Sequence, residues 1–113
     1  MSIEPKTIGE MTREKIVRYA GVIQDFNPIH YDDAFAQKAG LPSVVAHGPL
    51  TMLFALDALI ASEGLNSLSG FQVRLKAPVV PGAKLRIART ADGEVTLLAG
   101  ETEALAGRYT KRG

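Results

Sequence analysis

The chain has 113 residues, 46% of them apolar and 22% charged, with no cysteine and no tryptophan. This length and balance fit one globular domain and exclude general disorder, disulfides, thiolate catalysis and cysteine-ligated metal or iron–sulfur centres. The net charge of +1 gives no field that would attract nucleic acid. Met1 to Lys6 lacks the apolar core of a signal peptide. The longest apolar stretch, Leu50 to Ala61, is broken by Thr51 and Asp57 and falls short of the ~20 residues that span a bilayer. A soluble, cytoplasmic protein with no membrane partner is expected.

In chain order, residues 2–8 suit an edge strand. Thr12 can cap a helix, and Ile16, Tyr19, Ala20 and Ile23 follow at helical spacing, which predicts a helix over about 13–23. Asp32 or Asp33 can cap a short second helix through Ala39, which Gly40 and Pro42 end. Gly48-Pro49 opens a third helix reaching about Ser62, in which only Thr51, Asp57 and Ser62 are polar. A helix apolar nearly all round is expected to be buried on most sides.

Phe71 to Ala77 then alternates apolar with polar, the period of a half-buried strand. Pro78 to Gly82 turns the chain. Leu85 and Ile87 mark a second strand, Asp92-Gly93 a hairpin turn, and Val95, Leu97 and Ala99 a third strand. A fourth, over about Thr102 to Lys111, alternates poorly. These elements predict an α+β domain spanning residues 1–113, an antiparallel sheet curled round one apolar helix. The exposed sheet edges favour pairing with a second copy, so a dimer is expected.

Asp25-Phe26-Asn27-Pro28-Ile29-His30 is the sharpest local signal. Pro28 cannot continue the first helix, and Asn followed by Pro suits a type I turn over Asn27 to His30. Such a turn brings His30 back towards Asp25. A carboxylate and an imidazole can then converge on one water or one substrate proton, because histidine exchanges protons near neutral pH. A bland alternative stands beside this one: Asp25 as a helix-end residue and His30 as a polar turn residue.

A second constellation is His47-Gly48-Pro49. Glycine at a helix start lets a ligand approach the backbone, and the free N–H groups there favour a developing oxyanion. Alternatively, the tripeptide merely starts the helix. His47 is expected to pack or cap rather than bind metal, since two histidines without cysteine are a poor ligand set. No metal is expected.

Together the two constellations resemble the signature of the MaoC-like (R)-specific enoyl-CoA hydratases. The resemblance runs from Tyr19 to Asp32 around Asp25-x-Asn27-Pro28-x-His30. It continues through Ala39-Gly40-Leu41-Pro42, Ala46-His47-Gly48, Leu50-Thr51-Met52 and Val73 to Gly82. It implies a hot-dog fold, in which a sheet wraps a long helix, and dimers whose sheets join with active sites near the subunit interface. It further implies that Asp25 and His30 form a catalytic dyad holding water, that Gly48 N–H binds the thioester oxygen, and that Asn27 supports the substrate site, where His47 is also expected. The implied reaction is reversible addition of water to a trans-2-enoyl-CoA, with no cofactor beyond the coenzyme A of the substrate.

Two alternatives stay open: a dehydratase acting on acyl-carrier-protein thioesters, and one subunit of a heteromeric hot-dog hydratase acting on bulky, steroid-type acyl groups. The sequence departs from the signature at Ile23-Gln24, where a Ser/Thr-Gly pair is usual. Pro49 also replaces a larger apolar residue. Residues 71–113 hold eight basic and four acidic side chains, a net +4. Two readings stand for Arg74, Lys76, Lys84 and Arg86: they solvate the polar face of the sheet, or they attract the carrier's phosphates.

Overall fold

The computed structural model describes residues 2–112. Strand β1 (Ser2–Glu10) leads into helix α1 (Arg13–Ile23), a 3-10 turn (Pro28–His30), helix α2 (Asp33–Lys38) and the long helix α3 (Gly48–Glu63). A second 3-10 turn (Leu65–Ser67) precedes β2 (Leu68–Leu75), β3 (Lys84–Thr90), β4 (Glu94–Ala99) and β5 (Thr102–Lys111). All strand pairs are antiparallel, in the order β1-β3-β4-β5-β2. This is the predicted α+β architecture, and it leaves β1 and β2 as the sheet's two edges.

The alternation in β3 and β4 puts Leu85, Ile87, Val95 and Leu97 on one face, and all four are buried. The register pairs Ile87 with Leu97 and Leu97 with Leu105, so an apolar stripe crosses three strands. Ala55 and Leu59, one helical turn apart on α3, lie in the same core with Met11 and Ile16. Truncating such a leucine typically costs about 2–5 kcal/mol.

The poor alternation of β5 has a local cause. Leu97 pairs with Leu105 and Leu98 with Glu103, so Ala104 is the extra residue of a bulge. Ala104 and Leu105 are consequently both buried. The same bulge ends β2 at Leu75, two residues before the sequence suggests. The Lys76 and Ala77 N–H groups both donate to the Ala104 carbonyl instead of continuing the ladder.

Helix α3 is less enclosed than its composition suggests. Thr51, Ala55 and Leu59 are buried, whereas Leu53 is 45% exposed and Asp57 and Ala61 share its open stripe. One curved sheet covers one side of a helix, and α3 packs mainly on β2 and β5. No helix among the described residues is long and apolar enough to cross a membrane.

Candidate active site

Helix α1 is capped as predicted: the Thr12 hydroxyl accepts from the Lys15 N–H at 3.1 Å. It ends at Gln24, which adopts a left-handed conformation (φ 57°) while its N–H donates to the Ala20 carbonyl. Left-handed backbone favours glycine. This supplies the physical reason for the glycine of the usual signature, and Gln24 occupies the same conformation at a steric cost. The sharp exit aims Asp25 back across the start of the next turn.

Asn27 builds that turn. Its side-chain oxygen accepts from the Ile29 N–H at 3.2 Å, its carbonyl accepts from the His30 N–H at 3.0 Å, and Pro28 sits at the first helical position. The Asn27 N–H in turn donates to Asp25 Oδ1 at 3.3 Å. The turn therefore places His30 beside Asp25, with His30 Nε2 3.8 Å from Asp25 Oδ2.

A second layer fixes the His30 ring. Its Nδ1–H donates to the Val45 carbonyl at 2.7 Å. That bond commits Nδ1 as the donor and leaves the Nε2 lone pair facing Asp25. The segment carrying Val45 is itself pinned at three successive N–H groups. Val44 donates to Asp33 Oδ1 at 3.0 Å, Val45 to the Ile29 carbonyl at 3.0 Å, and Ala46 to the Val79 carbonyl at 2.8 Å. Asp32, not Asp33, caps α2, accepting from the Phe35 N–H. Asp33 is thereby free to hold the loop, and the Val44 bond, helped by the Arg13 guanidinium, keeps its carboxyl below the usual range.

His47 packs against this pair. Its ring stacks on His30 with centroids 3.6 Å apart, and Tyr19 meets it edge-on at 5.0 Å. His47 Nε2–H donates to the Asp25 backbone carbonyl at 3.5 Å and lies 3.9 Å from Asp25 Oδ2, while its Nδ1 is buried without a hydrogen-bond partner. Burial, and next the neighbouring His30, lower the His47 pKa and favour its neutral imidazole. Both rings are buried, while the Asp25 side chain is 45% exposed. The carboxylate is thus the face the cluster presents to solvent.

Gly48 follows directly as the first residue of α3, where a helix leaves its N–H groups unsatisfied. Among the described residues, no backbone acceptor takes the Gly48 N–H. A cleft of about 310 Å³ opens there, lined by Gly48, Thr51, Leu75, Lys76 and Pro78. A second, of about 310 Å³ and almost wholly apolar, is lined by Val17, Ala20, Phe26, His30 and Tyr31. A third, about 390 Å³, lies between α3 and strands β1 and β3 and touches none of Asp25, His30, His47 or Gly48.

The structure thus brings together Asp25, His30 and His47, and puts Gly48 immediately after them. Asn27 spends its side-chain oxygen on the turn. Sequence reasoning missed Tyr19, Val45 and Asp33 as parts of the site. Tyr19 carried a signal, since it lies on the inward stripe of α1, but a backbone carbonyl such as Val45 leaves none. The basic strand face is partly neutralised. Lys76 pairs with Glu103 at 3.1 Å and Arg86 with Glu101 at 3.6 Å, whereas Arg74 and Lys84 have no ion pair among the described residues.

Comparison with known proteins bears on the family and the fold. A family model described as MaoC like domain matches residues 2–107. The chain is 45% identical over 76 residues to 3-hydroxyacyl-thioester dehydratase X of Mycobacterium tuberculosis, covering 67% of this chain and 26% of that protein. It is 47% identical over 67 residues to the peroxisomal enoyl-CoA hydratase 2 of Arabidopsis thaliana, covering 54% of this chain and 21% of that protein. A solved structure of a MaoC-like dehydratase superposes with a TM-score of 0.84 at 29% identity, over 100% of this chain and 40% of the other. The chain therefore spans only 26% or less of the length of these curated relatives. The family match runs from β1 into β5 and includes the Asp25–His30 turn and the start of α3, so the chain belongs to the MaoC-like hydratase and dehydratase family, with the hot-dog fold.

Proposed function

We propose that the chain catalyses reversible addition of water to a trans-2-enoyl-CoA, giving the (R)-3-hydroxyacyl-CoA. The observation that carries this reading is the pair formed by Asp25 Oδ2 and His30 Nε2. They are two acceptors 3.8 Å apart, too far for a direct hydrogen bond and spaced for one bridging molecule. A water about 2.8 Å from each would donate both of its hydrogens, leaving an oxygen lone pair free to attack.

Attack forms the bond from water oxygen to the β-carbon and breaks the carbon–carbon π bond. Its electrons move through the α-carbon to the thioester oxygen, giving an enolate. The Gly48 N–H, at the positive end of α3, stabilises that oxygen. The proton released from water returns to the α-carbon through the dyad, and the enolate collapses to the product. The two groups form one coupled acid–base unit, so the proton belongs to the pair. Neutral His47, stacked on His30, keeps the ring in register. The same steps reversed dehydrate a 3-hydroxyacyl thioester, the reaction in the name of the M. tuberculosis relative, and an acyl-carrier-protein thioester presents the same reacting atoms.

The free edges of β1 and β2 and the open stripe of α3 support assembly with a second hot-dog domain. We take this to be a copy of the same chain; a heteromer with a different hot-dog subunit is the second reading. Light scattering on the purified chain distinguishes both from a 12.1 kDa monomer. The function is tested by following loss of the conjugated enoyl-thioester absorbance with crotonyl-CoA, and by chiral analysis of the product. The (R)-3-hydroxy product supports the proposal; the (S)-product, or no turnover by the chain alone or with a second hot-dog subunit, overturns it.

A further inference from the structure

Asp25, His30 and His47 were separated in the sequence by the turn and by helix α2, but in the fold one carboxylate oxygen and one nitrogen from each ring lie within 4.8 Å of one another. Asp25 Oδ2 is shared: it is 3.8 Å from His30 Nε2 and 3.9 Å from His47 Nε2. The His30 Nδ1–H bond to the Val45 carbonyl is the kind of outer contact that orients a metal-ligating imidazole, because it leaves the opposite nitrogen's lone pair aimed inward. His47, 2% exposed, contacts the Asp25 carbonyl through Nε2 at 3.5 Å. An ion at Nε2 must displace that contact and shift the ring proton to Nδ1, which is buried without a partner. The half-exposed Asp25 carboxylate gives an ion a way in from solvent.

Two imidazoles and one carboxylate form a borderline donor set that suits Zn²⁺, Co²⁺ or Ni²⁺ and leaves a coordination position open. Bonds of about 2.0–2.2 Å in a tetrahedral site put ligand atoms roughly 3.3 Å apart. The present separations of 3.8 and 3.9 Å must therefore contract by about 0.5 Å. The two rings, stacked 20° from parallel, must also splay so that both lone pairs meet one ion. Asp25 follows the end of α1 and is exposed, so it is the member free to move.

We propose that Asp25, His30 and His47 form a binding site for a divalent transition-metal ion, Zn²⁺ first, and that its occupancy blocks hydration. The ion takes the His30 lone pair and the Asp25 oxygen that would otherwise hold the reacting water. The binding half stands on the geometry alone; the inhibition half rests on the hydratase reading.

The probe is ZnCl₂ titrated calorimetrically into the metal-free full chain, with CoCl₂ absorbance as a second readout and MgCl₂ as a control. One Zn²⁺ per chain is expected, with an intense visible Co²⁺ band and no Mg²⁺ heat, since Mg²⁺ prefers all-oxygen sites. Asp25→Asn and His47→Gln should each weaken Zn²⁺ binding at least about 10-fold, while Asp57→Asn, on the open stripe of α3, should not. Circular dichroism confirms that the variants are folded. Absence of saturable Zn²⁺ binding overturns the site, as does binding that both folded variants retain. In the activity arm, Zn²⁺ should inhibit with the midpoint seen by calorimetry, and a chelator should restore turnover. Full activity with Zn²⁺ bound overturns the inhibition. A chain that binds Zn²⁺ in this way but never hydrates an enoyl thioester, alone or with a second hot-dog subunit and with chelator present, overturns the hydratase reading and leaves the metal site standing.

Discussion

Gly48→Ala separates the fold from the proposed chemistry. A Cβ built on Gly48 would lie 2.5 Å from Leu75 Cδ1 and 3.9 Å from Leu75 Cγ, with no backbone atom within 4 Å beyond its own surroundings. Only the end of a flexible side chain is in the way, and Leu75 is 50% exposed, so it can rotate aside. A strained or shifted rotamer costs about 0.5–1.5 kcal/mol. Alanine returns up to about 1 kcal/mol over glycine within a helix. The two nearly cancel, and the melting temperature should move by no more than about 4 °C. The cleft at Gly48 fares differently, because the new methyl and the displaced Leu75 occupy the space where a thioester oxygen would meet the N–H. Losing one oxyanion donor typically lowers kcat about 10²–10³-fold. Steady-state kinetics with crotonyl-CoA and a thermal melt on the same sample are the assay. Adding Leu75→Ala should recover part of the activity by clearing the clash. Gly48→Ala with full kcat and an unchanged melt would refute the oxyanion role.

Other perturbations follow from the same structure. Gln24→Gly should stabilise the protein by about 0.5–1 kcal/mol, because glycine adopts the left-handed end of α1 without steric cost; a lower melting temperature would contradict this. Glu63 accepts from Lys111 and Tyr109 and faces Arg89, at 2.9, 3.1 and 3.3 Å, and chiefly the Lys111 contact lowers its pKa below 4.5. Its stabilisation is therefore complete above about pH 4.5 and is lost as pH falls through the lower folded value. Glu63→Gln should be less stable than wild type at pH 7 in urea melts, with the gap closing at acidic pH. Because Lys76 and Arg86 already pair with carboxylates, Arg74→Gln and Lys84→Gln should raise KM for a coenzyme A thioester more than Lys76→Gln or Arg86→Gln. They should leave kcat unchanged and leave a pantetheine thioester unaffected. Equal responses from all four would remove the steering role.

Much of this fold was legible because its periodicities are local. The alternation of Leu85, Ile87, Val95 and Leu97, the Thr12 cap and the Gly48-Pro49 start each specify an element within a few residues. The failures came from contacts distant in sequence. The bulge at Ala104, which ends β2 early and spoils the β5 pattern, exists only when β4 and β5 are paired. The open stripe of α3 follows from how far one sheet can curve, which composition does not record. At the site, the Asn27-Pro28 turn announced the approach of His30 to Asp25. The stacking of His47 on His30 and the Val45 carbonyl that sets the His30 tautomer depend on a loop 15 residues further on. The Ile23-Gln24 departure was visible, but its meaning needed the φ of 57°.

The central claim is that Asp25 and His30 act together on one water. Its most direct test is kcat for enoyl-thioester hydration by Asp25→Asn, His30→Ala and the double variant, each checked for native circular dichroism. Asn keeps the size and the acceptor for the Asn27 N–H but loses the charge, so the fold should persist. Each single change should lower kcat by about 10²–10⁴-fold, as for ordinary general acid–base groups. The double variant should lose little more than the worse single, because the two groups work as a unit. Near-normal kcat in either folded single variant, or losses that simply multiply in the double, would contradict the account.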